Sequence, residues 1–261
     1  MNRFRNVFKA SKPIIGMIHL PPLPDYDGSP GIEAIIDSAL NDLKILESYG
    51  IDGALIENEY DQPHRVKATP ETIIAMTEVT KAVVEASNKC VIGVEILLND
   101  PIASLDIAKK AGAQFIRTDY FVDPMSRPDH GDFEIDPVGI IEYRHSIEAD
   151  QILILADIQV KYAKMLINRT MEQSASLAEQ HFADAVVVSG HETGDKPLIS
   201  DLDAARRGCN IPVIIGSGTD ASNAKGLLSH CHGTIVGTAL MKDNIVNAEN
   251  TNKLVSALGR V

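Results

Sequence analysis

The feature that most constrains this chain is a recurrence. Eight times, a short run of Ile, Val, Leu or Ala ends in a polar turn, and helix-like spacing follows most of the runs. The runs fall at residues 14–20, 53–57, 90–96, 114–118, 152–157, 185–189, 213–215 and 233–236. Strands that are apolar throughout need cover on both faces, which is how the strands of a parallel sheet read. The stretches between them supply that cover. Ile35, Ile36, Ala39, Leu40, Leu43 and Leu46 keep the period of an amphipathic helix, and Gly50 closes it. Thr69-Pro70 and Asp100-Pro101 each set a capping side chain before a proline at the first helical position. Further helices are predicted up to about residue 146, at 170–180 and at 245–258, with a lead-in helix within the first dozen residues. Evenly spaced strand–helix units without a linker predict one α/β domain over residues 1–261, a (β/α)8 TIM barrel. An open, doubly wound sheet is the competing topology, and even spacing favours closure.

Composition narrows the partners. A hydrophobic fraction of 44% with only 5% aromatic residues gives an aliphatic core, as a covered parallel sheet requires. The net charge of −12, without a basic block, argues against nucleic acid. A phosphorylated small molecule stays compatible, because a local backbone cradle binds phosphate on an acidic protein. Cys90, Cys209 and Cys231 lack CxxC spacing and are expected to be free thiols in a reducing compartment. No apolar stretch is long enough to span a membrane, and no charged leader precedes an apolar run, so a soluble cytoplasmic protein is expected.

Chemistry in such barrels collects at the C-terminal strand ends. The polar residues there are His19; Glu57, Asn58, Asp61 and His64; Glu95 and Asn99; Arg117 and Asp119; Asp157, Gln159 and Lys161; and Ser189, His191 and Glu192. Side chains alternate faces along a strand, which turns Glu57, Glu95 and Asp157 toward the barrel axis. Converging carboxylates serve proton transfer or hold a divalent metal, here on Glu57, Glu95 and Asp157. The structural alternative is that some of them brace Arg117 or the backbone. Glu57 and Asp157 are the candidate acid and base. His19 and Lys161 would polarise or hold the substrate, although His19 reads equally well as a satisfied histidine beside the proline loop. Lys161 lies a few residues past its strand, a placement that favours substrate binding or charge pairing over a Schiff base.

Two strand-to-glycine turns end the chain's repeats, Val213-Ile214-Ile215-Gly216-Ser217-Gly218-Thr219-Asp220 and Gly233-Thr234-Ile235-Val236-Gly237-Thr238-Ala239. The N–H groups of Gly216, Ser217, Gly218, Gly237 and Thr238 are predicted to cradle a phosphate, since glycine puts no Cβ in an anion's way. The alternative is a pair of ordinary turns whose glycines relieve tight packing. Residues 120–137 form a long, proline-containing loop, usually a sign of function or mobility. His230, Cys231 and His232 precede the last strand at the bottom of the barrel, and the histidines read as surface residues. No Walker A, GxSxG or HExxH motif is present.

Four stretches together resemble the BtpA/SgcQ family: Ile15-Gly16-Met17-Ile18-His19-Leu20-Pro21-Pro22-Leu23-Pro24; Gly50-Ile51-Asp52-Gly53-Ala54-Leu55-Ile56-Glu57-Asn58; Ile154-Leu155-Ala156-Asp157-Ile158-Gln159-Val160-Lys161; and Ala183-Asp184-Ala185-Val186-Val187-Val188-Ser189-Gly190, with 212–218 as its partner. The resemblance implies a barrel and, from the family's name-giving member, a role in photosystem I accumulation. It leaves two expectations open: an enzyme acting on a phosphorylated metabolite, or a non-catalytic assembly factor. Against that family's pattern, Glu95 stands where Asn is usual, and Gln159 and Tyr162 where His is usual. The run Glu57-Asn58-Glu59-Tyr60-Asp61-Gln62-Pro63 also resembles the second-strand end of the tryptophan synthase α-subunit. That likeness implies acid/base roles for Glu57 and Asp61. Oligomerisation, as a homo-oligomer, is expected only from fold analogy.

Overall fold

The computed structural model describes residues 3–190 and 195–260. The eight apolar runs are the strands of a closed barrel: β1 (Ile14–His19), β2 (Gly53–Glu57), β3 (Val91–Glu95), β4 (Phe115–Thr118), β5 (Leu153–Asp157), β6 (Ala185–Val188), β7 (Val213–Ile215) and β8 (Thr234–Val236). Every neighbouring pair is parallel, and β1 pairs with β8 through Ile14↔Thr234. That last pairing excludes the open sheet.

Alternation along these strands makes two cores. Ile15, Met17, Leu55, Phe115, Leu155, Val187 and Ile214 fill the barrel interior. Ile14, Ile18, Ile56, Val94, Ile154, Val186 and Val213 pack outward against the helices. The lower end is plugged by α1 (Arg3–Val7) and the turn after it. Phe4 and Phe8 stack at 4.7 Å, and Phe8 reaches Phe115 at 5.5 Å. Burying each such ring stabilises by roughly 1.5–3 kcal/mol. Gly93 makes room for this layer, because a Cβ there would lie 2.3 Å from the Phe115 ring. A closed floor leaves the C-terminal strand ends as the open face.

The helices begin where the caps predict. Thr69 accepts the Thr72 N–H at the start of α3 (Pro70–Ala86), and Asp100 accepts the Ala103 N–H at the start of α4 (Pro101–Ala111). The helix predicted at 32–50 is α2 (Ile32–Ser48). Residues 137–146 form α5 (Pro137–Ser146), and α6 (Met171–Gln180) opens with a Thr170/Gln173 capping box. α7 (Ile199–Gly208) covers β6 and β7.

The expected short lead-in helix is α1. Three segments differ from expectation. After β7 the helix is only α8 (Ala224–Leu227), because Asp220 Oδ1 takes the N–H groups of Ser222 and Asn223 and holds a turn there. The closing helix α9 is Ala248–Ala257, since Ile245–Val246 first pairs back on Met241–Lys242. The 120–137 loop is also ordered. Met125–Arg127 pairs antiparallel with Gly131–Asp132 and with Lys164–Met165, making a three-stranded flap beside the mouth. Tyr120 stacks on Phe133 at 3.7 Å beneath it. Asp123 anchors the flap by accepting from Arg169 Nη1 (2.7 Å), Ser174 Oγ (2.8 Å) and the Gln159 N–H (2.9 Å).

The three cysteines are free, Cys90 and Cys231 buried and Cys209 half-buried. Among the described residues no helix is long and apolar enough to cross a membrane.

Candidate active site

The inward positions at the strand ends form one polar layer. Register pairs His19 with Glu57 and Glu57 with Glu95. Arg117 enters from β4 and grips Asp157 with two bonds, Nε–Oδ2 at 2.7 Å and Nη2–Oδ1 at 2.9 Å. Its Nη1 lies 3.6 Å from Glu95 Oε2. Ser189 Oγ donates to Asp157 Oδ1 at 3.3 Å. Gly216 closes this layer at β7, where a Cβ would stand 2.4 Å from Ser189 Oγ and 3.2 Å from Arg117 Nη2.

Above the layer opens a cavity of about 500 Å3. His19, Glu57, Glu59 and Asp119 form one wall, and the turns at 216–220 and 237–239 form the other. Lys161 and Arg127 reach its rim from the β5 loop and the flap. The β5 loop is set by two residues in the left-handed region, Gln159 at φ 48° and Tyr162 at φ 62°. The flap therefore borders the mouth and leaves it open.

Burial governs the electrostatics of this wall. The Glu57 carboxyl is pushed up to about 8, first by burial and then by the neighbouring Glu59 carboxylate, with Arg117 and a hydrogen bond with Glu95 opposing. Burial also carries Glu95 well above the ordinary carboxylate range, against the pull of Arg117. Asp119 is raised well above that range by burial and by the charges of Glu95 and Asp157. His19 is held down to about 4, mainly by burial, with Lys161 and Arg117 adding to it and Glu59 opposing. The 3.3 Å contact of His19 Nε2 with Glu57 Oε2 thus joins a neutral imidazole to a protonated carboxyl at neutral pH. Arg117 stays charged: burial works against it, but Asp157 and Glu95 more than offset that.

The glycine turns supply donors. Gly218 sits at φ +75°, and a Cβ there would meet the Asp195 backbone at 2.2 Å, so the turn requires glycine. Ser217 Oγ donates to the Asp195 carbonyl (3.2 Å) and accepts the Gly190 N–H (3.3 Å). The N–H groups of Ser217, Gly218 and Thr238 find no acceptor among the described residues. Gly237 faces the His19 ring, 3.5 Å from where its Cβ would stand to Cε1.

The structure redistributes several predicted roles. Glu57, His19 and Lys161 meet at the cavity, as do Ser217, Gly218, Gly237 and Thr238. The Gly216 N–H is committed to the Val188 carbonyl at 2.9 Å, so Gly216 contributes space and no donor. Asp157 is 1% exposed and held by Arg117, which makes it a brace and removes it from the cavity wall. Asp61 is fully buried, accepts the Leu23 N–H (2.8 Å) and an Asn58 Nδ2–H (2.9 Å), and fixes the two loops. The predicted metal triad of Glu57, Glu95 and Asp157 does not assemble, because the Arg117 guanidinium holds Asp157 and faces Glu95. His230 bonds Asp203 and His232 bonds the Val213 N–H, both away from the mouth. His191 and Glu192 lie outside the described residues. Two further carboxylates line the cavity: Glu59, absent from the strand-end residues named from sequence, and Asp119, named there without a role. Each lies two positions beyond an inward strand-end residue, Glu57 or Arg117, so the period-two rule extended past the strand would have found both.

A (β/α)8 barrel with an acidic wall facing glycine-rich turns is the class that fold and site define. N-(5'-phosphoribosyl)anthranilate isomerase from Pyrococcus furiosus has the same fold, with a TM-score of 0.59 over 96% of this chain and 100% of its own at 15% identity. The chain belongs to the BtpA family, whose profile matches residues 10–260. It is 33% identical over 246 residues to an uncharacterised protein of Archaeoglobus fulgidus, covering 94% of this chain and 98% of that one. The photosystem I biogenesis protein BtpA of Synechocystis is 32% identical over 247 residues, covering 92% of this chain and 84% of its own.

Proposed function

We propose that the protein is an enzyme that moves a proton on a small phosphorylated metabolite, as an isomerase, epimerase or lyase. One observation carries this reading: the raised carboxyls of Glu57 and Asp119 share a cavity with Ser217, Gly218 and Thr238, whose N–H groups find no acceptor among the described residues. In this reading the N–H groups take the phosphate oxygens, and Lys161 adds charge at the rim. The reacting carbon then sits against Glu57 and Asp119, whose carboxyls burial holds protonated to higher pH than an ordinary carboxylate's. The neutral His19 imidazole is suited to polarise a carbonyl or hydroxyl oxygen. Arg117 and Asp157 hold the layer beneath.

The name of the isomerase neighbour, a phosphoribosyl-compound enzyme, is in keeping with this reading. Its test is a thermal-shift screen of sugar phosphates and their parent sugars, followed by NMR of the binders in D2O. Deuterium incorporated at a carbon next to a carbonyl is the expected result. Absence of any phosphate-dependent shift, or equal shifts in a Gly218→Asp variant, overturns it. A second reading is a non-catalytic assembly factor, favoured by the name of the Synechocystis relative. It predicts no exchange at all with any bound ligand. Self-association belongs to either reading, and light scattering reports it.

A further inference from the structure

The same mouth holds an arrangement that proton transfer alone does not use. His19 Nε2, one Glu57 carboxyl oxygen and one Glu59 carboxyl oxygen all lie within 4.8 Å of one another. Among the described residues no other three His, Cys, Asp or Glu side chains bring ligand atoms so close. The fold produces this cluster directly. His19 and Glu57 are register partners at the ends of β1 and β2, and Glu59 follows Glu57 by two residues. Modest side-chain movement brings three such atoms to the roughly 2.0–2.2 Å that imidazole and carboxylate ligands keep from a transition-metal ion.

A second observation points to the same place. Glu95 is 1% exposed, no N–H or hydroxyl among the described residues donates to its oxygens, and it lies in register beside Glu57, the carboxyl with which it shares a proton contact. Such a carboxyl is costly unless something in the cluster engages it. The Glu59 carboxylate likewise accepts no hydrogen bond from the described residues, and its side chain is only partly covered. Arg117 Nη1 supplies an ion pair to Glu95 Oε2 at 3.6 Å but no hydrogen bond, because its Nε and Nη2 are taken by Asp157.

We propose that His19, Glu57 and Glu59 bind a divalent transition-metal ion, with Glu95 supporting Glu57 from behind. One imidazole nitrogen and two carboxylates suit Mn2+, Fe2+ or Zn2+ better than Ca2+ or Mg2+, which prefer oxygen alone. Three protein ligands leave coordination positions open, and those positions face the cavity. A substrate oxygen arriving there is polarised by the ion, and Asp119 is the carboxyl left to move the proton. The inference rests on the proposed function for that last step only. Metal binding itself is measured without any substrate.

The test titrates the EDTA-treated protein with MnCl2 and with ZnCl2 by calorimetry, with the Mn2+ EPR signal as a second readout. Wild type is expected to bind one ion per chain. Glu59→Gln and His19→Gln are each expected to weaken binding at least about 100-fold, at or beyond the upper end of the roughly 10–100-fold that losing a supporting residue costs. Glu249→Gln, on the exposed face of α9, is expected to bind as wild type does. Glu59 makes no side-chain hydrogen bond among the described residues, so its variant is expected to keep the fold, and circular dichroism checks this. No binding of either metal by wild type, or unchanged binding by Glu59→Gln, overturns the proposal. Metal binding without any phosphate-ester binding would instead refute the proposed function and leave the metal site standing.

Discussion

Replacing Glu57 by Gln is expected to make the metal-free protein more stable at alkaline pH, although the residue lies at the heart of the site. Glu57 titrates at about 8 in the folded chain against an ordinary 4.5. Between those values the folded chain keeps a proton that the unfolded chain has released. The stabilising contribution of Glu57 is therefore complete below pH 4.5 and is lost as pH rises through about 8. Each unit of displacement corresponds to about 1.4 kcal/mol, so the interval sets an upper bound of about 5 kcal/mol. Sharing of charge with Glu95 and entry of water from the cavity reduce this to about 2–3 kcal/mol. Gln has nearly the same shape and does not titrate. His19 has the opposite sign. It is held at about 4 against an ordinary 6.5, so its contribution is present above pH 6.5 and lost as pH falls through about 4. Urea unfolding in phosphate-free buffer with EDTA, from about pH 5 to about pH 9, separates the two limbs. The alkaline fall in wild-type stability is expected to flatten in Glu57→Gln, and the acid fall in His19→Gln. Parallel curves for wild type and Glu57→Gln would refute the reasoning.

Three other outcomes follow from named contacts. Arg117→Met leaves Asp157 and Glu95 buried without their cation, and urea unfolding is expected to show a loss of about 3–5 kcal/mol. Gly218→Ala forces a side chain into the Asp195 backbone at a positive φ; it is expected to cost about 1–3 kcal/mol and to abolish the thermal shift caused by a sugar phosphate. Asp61→Ala strands the Leu23 N–H and Asn58 and is expected to cost about 1–3 kcal/mol, yet to leave that ligand-induced shift in place, because Asp61 does not reach the cavity.

The barrel was legible because each strand carries a short apolar run at even spacing, and only closure covers every edge. The inward layer was legible for the same periodic reason: Glu57, Glu95 and Asp157 share the parity of Leu55, Gly93 and Leu155. Which carboxylate meets a cation was not. Arg117 sits opposite Leu155 in register and reaches along β5 to Asp157, a choice made by geometry across two strands. The flap escaped detection because its strands are two or three residues long and join segments nearly 40 residues apart, Ser126 to Lys164. The burial of Asp61 was not legible, because its Leu23 donor arrives from the β1 loop 38 residues away, while Asn58 adds a local bond within the β2 loop. The two glycine turns do border the cavity, as their spacing led one to expect, while the Gly216 N–H is spent on the ladder to Val188, which no single turn reveals.

The account's central claim is that the glycine turns hold a phosphate opposite the carboxyl wall. Calorimetric titration of a pentose phosphate and of the parent pentose into wild type and Gly218→Asp tests it most directly. The claim predicts saturable binding of the ester alone, lost in the variant while the fold persists. Equal binding of ester and sugar, or ester binding that survives Gly218→Asp, would contradict it.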